Sequence, residues 1–219
     1  GVAVSVAAPS IVGDDTNTGI SFPAADTIKF STGGVERMSI TNSGVTGISG
    51  GKILQNITVS DSVRETSGSV SLSSANTYYE TPFAVTITPS ATSSKILLMG
   101  HMMGESSIGD LYLMFSIKRA ISGGSTTAIQ APAAGNRARG ISVFPSGFYN
   151  AESASTPTVI NFAGLVDSPN TTSAITYTIQ VNSTQNASQT FYYNRTVNDS
   201  DVIDFERGLS WITAQEIGA

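Results

Sequence analysis

The sequence offers few side chains for covalent chemistry. It holds one histidine, His101, inside the apolar stretch Leu97 to Met103. Any Ser–His–Asp relay would have to run through that ring, and no Gly-x-Ser-x-Gly elbow presents a serine to it. A general base also needs reach to its proton and a tuned pKa. His101 therefore reads as a strand histidine on a sheet face or at a subunit seam. One histidine and no cysteine leave no multi-histidine or thiolate zinc site, no disulfide and no cysteine nucleophile. No cofactor and no metal are expected.

Carboxylates are the remaining candidates, because glycan hydrolases work with Asp/Glu pairs. Asp199, Asp201, Asp204 and Glu206 crowd one stretch before Arg207. They lack the glycine and ligand spacing of an EF-hand loop, so two readings stand: a loop calcium site, or a solvated turn. Glu105 and Asp110, each following a glycine (Gly104, Gly109), read as loop polarity. With no motif tying a carboxylate pair to a groove, the chain reads as non-enzymatic. Asn-x-Ser/Thr sequences begin at Asn56, Asn170, Asn182, Asn186, Asn194 and Asn198. A chain this rich in Ser, Thr and Asn produces them by composition, and the missing cysteines speak against a disulfide-forming compartment.

Binding chemistry has better material. The segments Ser122 to Arg139 and Ser146 to Thr156 read as long loops rich in small residues. They set Arg137, Arg139, Phe148, Tyr149 and Asn150 among glycines and serines. Long loops on a rigid β scaffold are where recognition usually sits. Aromatic rings stack on sugar faces, while Arg and Asn hydrogen-bond hydroxyls or acidic groups. The reading beside it is ordinary loop decoration, since few contacts in an interface carry its energy.

The elements that position these residues are strands. Charged residues make up only 12% of the chain, about half the usual share. Ser, Thr, Asn and Gly carry the polarity instead, which suits sheets and turns. Residues 1–52 run in short pieces with period-two alternation: Ile20–Phe22, Thr27–Phe30 and Arg37–Ile40, separated by glycine turns. Strands this short cannot bury a core in one copy. From Ile53 the strands lengthen, to roughly ten between 53 and 219, with prolines between them and no capped helical period. The expected fold is all-β: a short-stranded trimeric β shaft or neck, 1–52, then a jelly-roll-like β-sandwich head, 53–219. Ile96–Met99 and Leu111–Phe115 are apolar on both faces. That pattern places Leu97, Met99, Leu111, Leu113 and Phe115 at a trimer interface, or in a central strand covered by loops. A net charge of −5 with scattered Lys and Arg argues against nucleic acid. No run of about 18 apolar residues marks a membrane span. Opening on Gly1 rather than Met, the sequence reads as one with an N-terminal portion outside it.

Three stretches carry a family resemblance. Asn17-Thr18-Gly19-Ile20-Ser21-Phe22-Pro23-Ala24-Ala25-Asp26-Thr27 through Phe30-Ser31-Thr32-Gly33-Gly34-Val35-Glu36-Arg37-Met38 resembles a shaft segment of tailed-bacteriophage fibre proteins. Thr81-Pro82-Phe83 through Thr88-Pro89-Ser90 and on to Ser94-Lys95-Ile96-Leu97 resembles the opening of the C-terminal head of such fibres. Leu209-Ser210-Trp211-Ile212-Thr213-Ala214-Gln215-Glu216-Ile217 is similar to their last strand. Ser122 to Ala154 matches nothing in the family. The resemblance implies a homotrimer with jelly-roll heads, joined through its N-terminal region to other virion proteins. Its address would be the virion, on the tail in preference to the capsid, and its head would meet a host surface glycan or protein receptor. A capsid head fibre or decoration protein, and a fibre-borne glycan depolymerase, are the alternatives.

Overall fold

The computed structural model describes residues 5–47, 52–108, 112–144, 156–185 and 188–218. It divides into two compact units, Gly1–Lys52 and Ile53–Gly218. The first is a single antiparallel sheet in which each strand pairs with its neighbour in sequence. The strands are β1 (Ile11–Val12), β2 (Gly19–Ala24), β3 (Thr27–Thr32), β4 (Val35–Thr41) and β5 (Gly44–Thr46). Asp26, with φ 55°, and Gly33 and Gly34, with φ 59° and 73°, close the turns on either side of β3. Alternation does what the sequence requires. One cross-strand row reads Ile11, Ile20, Phe30, Met38 and a second reads Ile28, Ile40, Val45. The opposite face carries Ser21, Lys29 and Ser39 in one row, with Lys29 paired to Glu36 at 2.7 Å.

The second unit is a sandwich of two antiparallel sheets with jelly-roll-like crossings between them. Its elements are β6 (Ile53–Thr58), the one-turn helix α1 (Asp61–Arg64), β7 (Gly68–Leu72), β8 (Tyr78–Ile87), β9 (Lys95–Ser106), β10 (Leu113–Ile121), β11 (Thr126–Ile129), β12 (Ser142–Val143), β13 (Thr158–Asp167), β14 (Ile175–Ser183), β15 (Gln189–Tyr193) and β16 (Trp211–Ile217). One sheet runs β11-β10-β14-β8 with β12 beside β10. The other runs β6-β16-β9-β15-β7 with β13 on β9. His101 pairs with both Asn161 and Trp211, so β13 holds one edge of β9 while β16, followed by β15, holds the other. The one-turn helix and β11 are additions to the elements expected from the sequence. Ser122 to Arg139 is accordingly not one loop, because β11 pairs with β10 within it.

The core lies between the two sheets. Phe115, Phe144 and Phe191 meet there with ring centroids 4.9 to 5.7 Å apart, beside Tyr177, Phe83 and Leu98. Gly104 on β9 makes this packing possible. A Cβ there would stand 2.2 Å from the Tyr192 carbonyl oxygen and 2.5 Å from the Phe191 ring. Backbone cannot yield to a methyl group, so Gly104→Ala is expected to destabilise the head by about 1–3 kcal/mol, the usual range for overpacking. A urea unfolding curve of the variant checks this.

Candidate functional site

Asp199 receives Arg207 at 2.6 Å and Arg195 at 3.5 Å, and Arg195 lies over the Tyr192 ring at 4.5 Å. Both arginines sit on the backbone bridge Arg195–Arg207. Asp199 is thus an anion between two cations fastening the base of a loop, while Asp201, Asp204 and Glu206 stay exposed. Among the described residues no group of three or more His, Asp or Glu side chains gathers to hold a metal. Glu105 corrects the loop reading made above. It is buried on β9, and its Oε2 accepts the Val197 N–H at 2.6 Å. His101 shares a 2.7 Å hydrogen bond with Asn161 Oδ1 and stacks on Trp211, centroids 6.5 Å apart and planes 15° apart. An amide and an indole are not the serine and carboxylate that a hydrolase places around its histidine.

Two further carboxylates, which sequence reasoning passed over, tie the head together. Glu216 on β16 is wholly buried. It accepts hydrogen bonds from Ser90 N–H and Oγ at 2.6 Å each, from Ser94 Oγ at 2.7 Å, and from Gln55 Nε2. Burial pushes its pKa up, but the hydrogen bonds together outweigh burial and leave it below the ordinary value of 4.5. A carboxyl lowered in the folded state adds stability that is present above its unfolded pKa and is lost as pH falls through the folded one. Wild-type unfolding free energy is therefore expected to drop as pH falls below about 4.5, and Glu216→Gln to flatten that drop. At neutral pH the variant should lose about 2 kcal/mol, the scale of a charged hydrogen bond. Urea titrations of both proteins across that range test the sign. The phase of Ile212, Ala214 and Glu216 along β16 gave the one sequence signal that this carboxylate faces inward.

Asp167 on β13 joins the two sheets. It accepts Arg119 Nη1 of β10 and the Tyr177 hydroxyl of β14, each at 2.7 Å. Burial and then the bonded carboxylate raise the Tyr177 pKa far above its ordinary value.

Of the expected recognition residues, Arg137 and Arg139 are among those described. Arg137 is exposed after β11. Arg139 is half-buried, and its carbonyl accepts the Tyr78 hydroxyl. Phe148, Tyr149 and Asn150 lie outside the described residues, as does Leu111 of the interface set. Leu97 and Met99 are half-buried on the outer side of β9. Leu113 and Phe115 require a correction. Both are 0% exposed and fill the core of the single chain, so neither side chain can face another copy. The strand β10 is apolar along this stretch because β14 pairs beside it and the β9 sheet covers its inner face.

The feature that stands out is the N-terminal sheet. Among its described residues the only buried side chains are Ser21, Ser31 and Ser39, at 0%, 3% and 3% exposure. Every hydrophobic residue there is half-buried or exposed, with Ile11 at 56% and Phe22 at 46%. Phe22, Ile28 and Ile40 line a groove of ≈ 390 Å³ edged by Asp26 and Asn42, which are hydrogen-bonded at 3.2 Å. Within this unit, the described residues form a one-layer sheet with an apolar face and no second layer over it. Sheets of this kind bury that face against another element.

No protein-family model matches the chain, and no curated protein does. Among solved structures, one of the infectious bursal disease virus Gx strain is similar over 80% of this chain and 44% of its own, at 13% identity and a TM-score of 0.36. The VP2 subviral particle of infectious bursal disease virus is similar over 87% of this chain and 50% of its own, with the same identity and TM-score. The chain spans about half the length of these structures.

Proposed function

We propose that this chain is a non-enzymatic structural fibre protein of a bacteriophage particle, assembled as a parallel homotrimer. The N-terminal unit serves as stalk and as attachment to other virion proteins. The sandwich serves as the head that meets a host glycan or protein receptor. The observation that carries the proposal is the uncovered apolar face of the N-terminal sheet. Fully burying each such side chain gains roughly 1.5–3 kcal/mol, and one copy realises it only in part, with Ile20, Ile28, Phe30, Met38 and Ile40 half-buried and Ile11 and Phe22 exposed. Copies wrapped about a common axis supply the missing layer. The resemblance of Asn17–Met38 to fibre shaft segments points the same way.

The buried carboxylates support a scaffold reading of the head, since Glu216 and Asp167 are spent on hydrogen bonds that hold strands together. Immunogold imaging of intact particles with an antibody to the head tests the assignment. Label on the tail is the expected result. Label on the capsid would make the chain a head fibre or decoration protein, and unlabelled particles would contradict a virion role.

A further inference from the structure

The segment between β15 and β16 leaves the sandwich as an excursion with a fixed base. Asn194 is buried at its start. The Asn194 Nδ2 donates to the Arg64 and Thr66 carbonyls at 2.7 and 2.9 Å, and its Oδ1 accepts Ser210 Oγ, from the segment's end, at 2.6 Å. Arg195 and Arg207 clasp Asp199, Glu105 holds the Val197 N–H, and Arg207 also donates to Ser67 Oγ at 3.1 Å. Beyond this base the chain turns on its own hydrogen bonds. Asn198 Oδ1 accepts the Ser200 N–H and hydroxyl at 3.1 and 2.7 Å, and the Phe205 N–H donates to the Val202 carbonyl at 3.3 Å.

The summit of the excursion carries residues that a plain turn does not ask for. Turns favour Gly, Pro, Asn, Asp and Ser, yet two β-branched aliphatic side chains stand here. Val202 is 51% exposed and Ile203 97%, and among the described residues no other large hydrophobic exceeds 57%. Ile203 therefore gains nothing from the fold of its own chain. Asp201, Asp204 and Glu206 flank it in the chain, all exposed. Among the described residues none of these three carboxylates has a cationic partner, because Arg195 and Arg207 are taken by Asp199 at the base.

We infer that this summit is a contact for a protein receptor, with Ile203 seated in an apolar socket that lysines or arginines rim. The inference rests on the reading of the sandwich as the head that meets a receptor, and it selects protein over glycan. Ile203 and Val202 present no ring to stack on a sugar face, and the carboxylates beside them repel phosphate-bearing or uronate-bearing glycans and anionic lipid. A second copy of the chain offers the wrong sign, since its apolar groove is edged by Asp26 and its net charge is −5. A cationic rim answers three carboxylates at once and steers the approach. One aliphatic anchor buried inside such a rim supplies most of the affinity of a small contact. Three heads on one trimer then strengthen it further.

The experiment is binding of the labelled full chain to cells that the particle infects, left untreated, shaved with protease, or oxidised with periodate to destroy surface sugars. Wild-type binding should vanish after protease, survive periodate, and weaken as salt rises from about 0.05 M to about 0.5 M. Ile203→Ser should bind about tenfold more weakly or worse and stay trimeric in sedimentation, because an exposed side chain contributes little to the fold. The triple variant Asp201→Asn, Asp204→Asn, Glu206→Gln should lose most of the salt dependence. Wild-type affinity in Ile203→Ser, or an unchanged salt response in the triple variant, would overturn the contact and leave the receptor reading standing. Binding that resists protease and yields to periodate would make the receptor a glycan and overturn this inference alone. A monomeric Ile203→Ser would make the summit a contact between copies instead. A wild-type chain that binds no such cell would remove this inference together with the receptor reading beneath it.

Discussion

Phe30→Asp is expected to leave no soluble trimer. Phe30 stands mid-row between Ile20 and Met38 on the apolar face of the N-terminal sheet, and the groove beside it is lined by Phe22, Ile28 and Ile40. If this face is the layer against which copies pack, each copy of the variant brings an unpaired carboxylate into it. Removing such a charge from water costs several kcal/mol per copy, against a gain of roughly 1.5–3 kcal/mol for each apolar side chain buried. Three such penalties meet at one axis, where the like charges also repel one another. Val12→Asp is the control, because Val12 pairs with Gly19 on the opposite face and is 45% exposed. That change should stay within about 0.5 kcal/mol and leave assembly intact. Size-exclusion chromatography with light scattering reads both. A soluble Phe30→Asp trimer of native size would show that the apolar face is not the packing layer.

Asp167→Ala should cost about 3 kcal/mol of head stability, the lower end for breaking a buried pair by removing one partner. Arg119 and Asp167 have side-chain exposures of 20% and 11%, so water screens the cation left behind only in part. The Tyr177 hydroxyl loses its acceptor in the same step, and Tyr177 itself is 0% exposed. Because the aspartate comes from β13 and its partners from β10 and β14, the loss falls on the joint between the sheets. Arg119→Met with Asp167→Leu is the informative companion. Replacing both charges with apolar groups of similar size is often neutral or stabilising, so the double variant should recover much of the loss. Urea unfolding of the three proteins gives the values. An Asp167→Ala head as stable as wild type would show that the joint carries no net energy.

Period-two alternation made most of the fold legible. Thr27–Phe30, Arg37–Ile40, Ile175–Val181 and Trp211–Thr213 alternate cleanly in sequence and lie in β3, β4, β14 and β16, because the apolar side of a half-buried strand is written in every second residue. Three things were not legible, each for a physical reason. Leu113 and Phe115 look like seam residues in a run apolar on both faces, but such a run cannot say which side is the chain's own core. The partners of Glu216 and Asp167 come from elements distant in sequence, and no local pattern announces them. At Gly164, φ 76°, a bulge shifts the register between Phe162 and Leu165, so alternation read through β13 loses its phase before reaching Asp167. The acidic run near Asp199 left a loop calcium site and a solvated turn as two readings, and the structure sets Arg195 and Arg207 on Asp199.

The central claim is that the N-terminal sheet is finished only by other copies of the chain. Sedimentation equilibrium of the full chain, at neutral pH and over a dilution series down to the lowest detectable concentration, tests it most directly. A species of three times 22.7 kDa that persists on dilution, and whose loss coincides with loss of the β signal of residues 1–52, is the expected result. A stable, fully folded monomer of 22.7 kDa would contradict it.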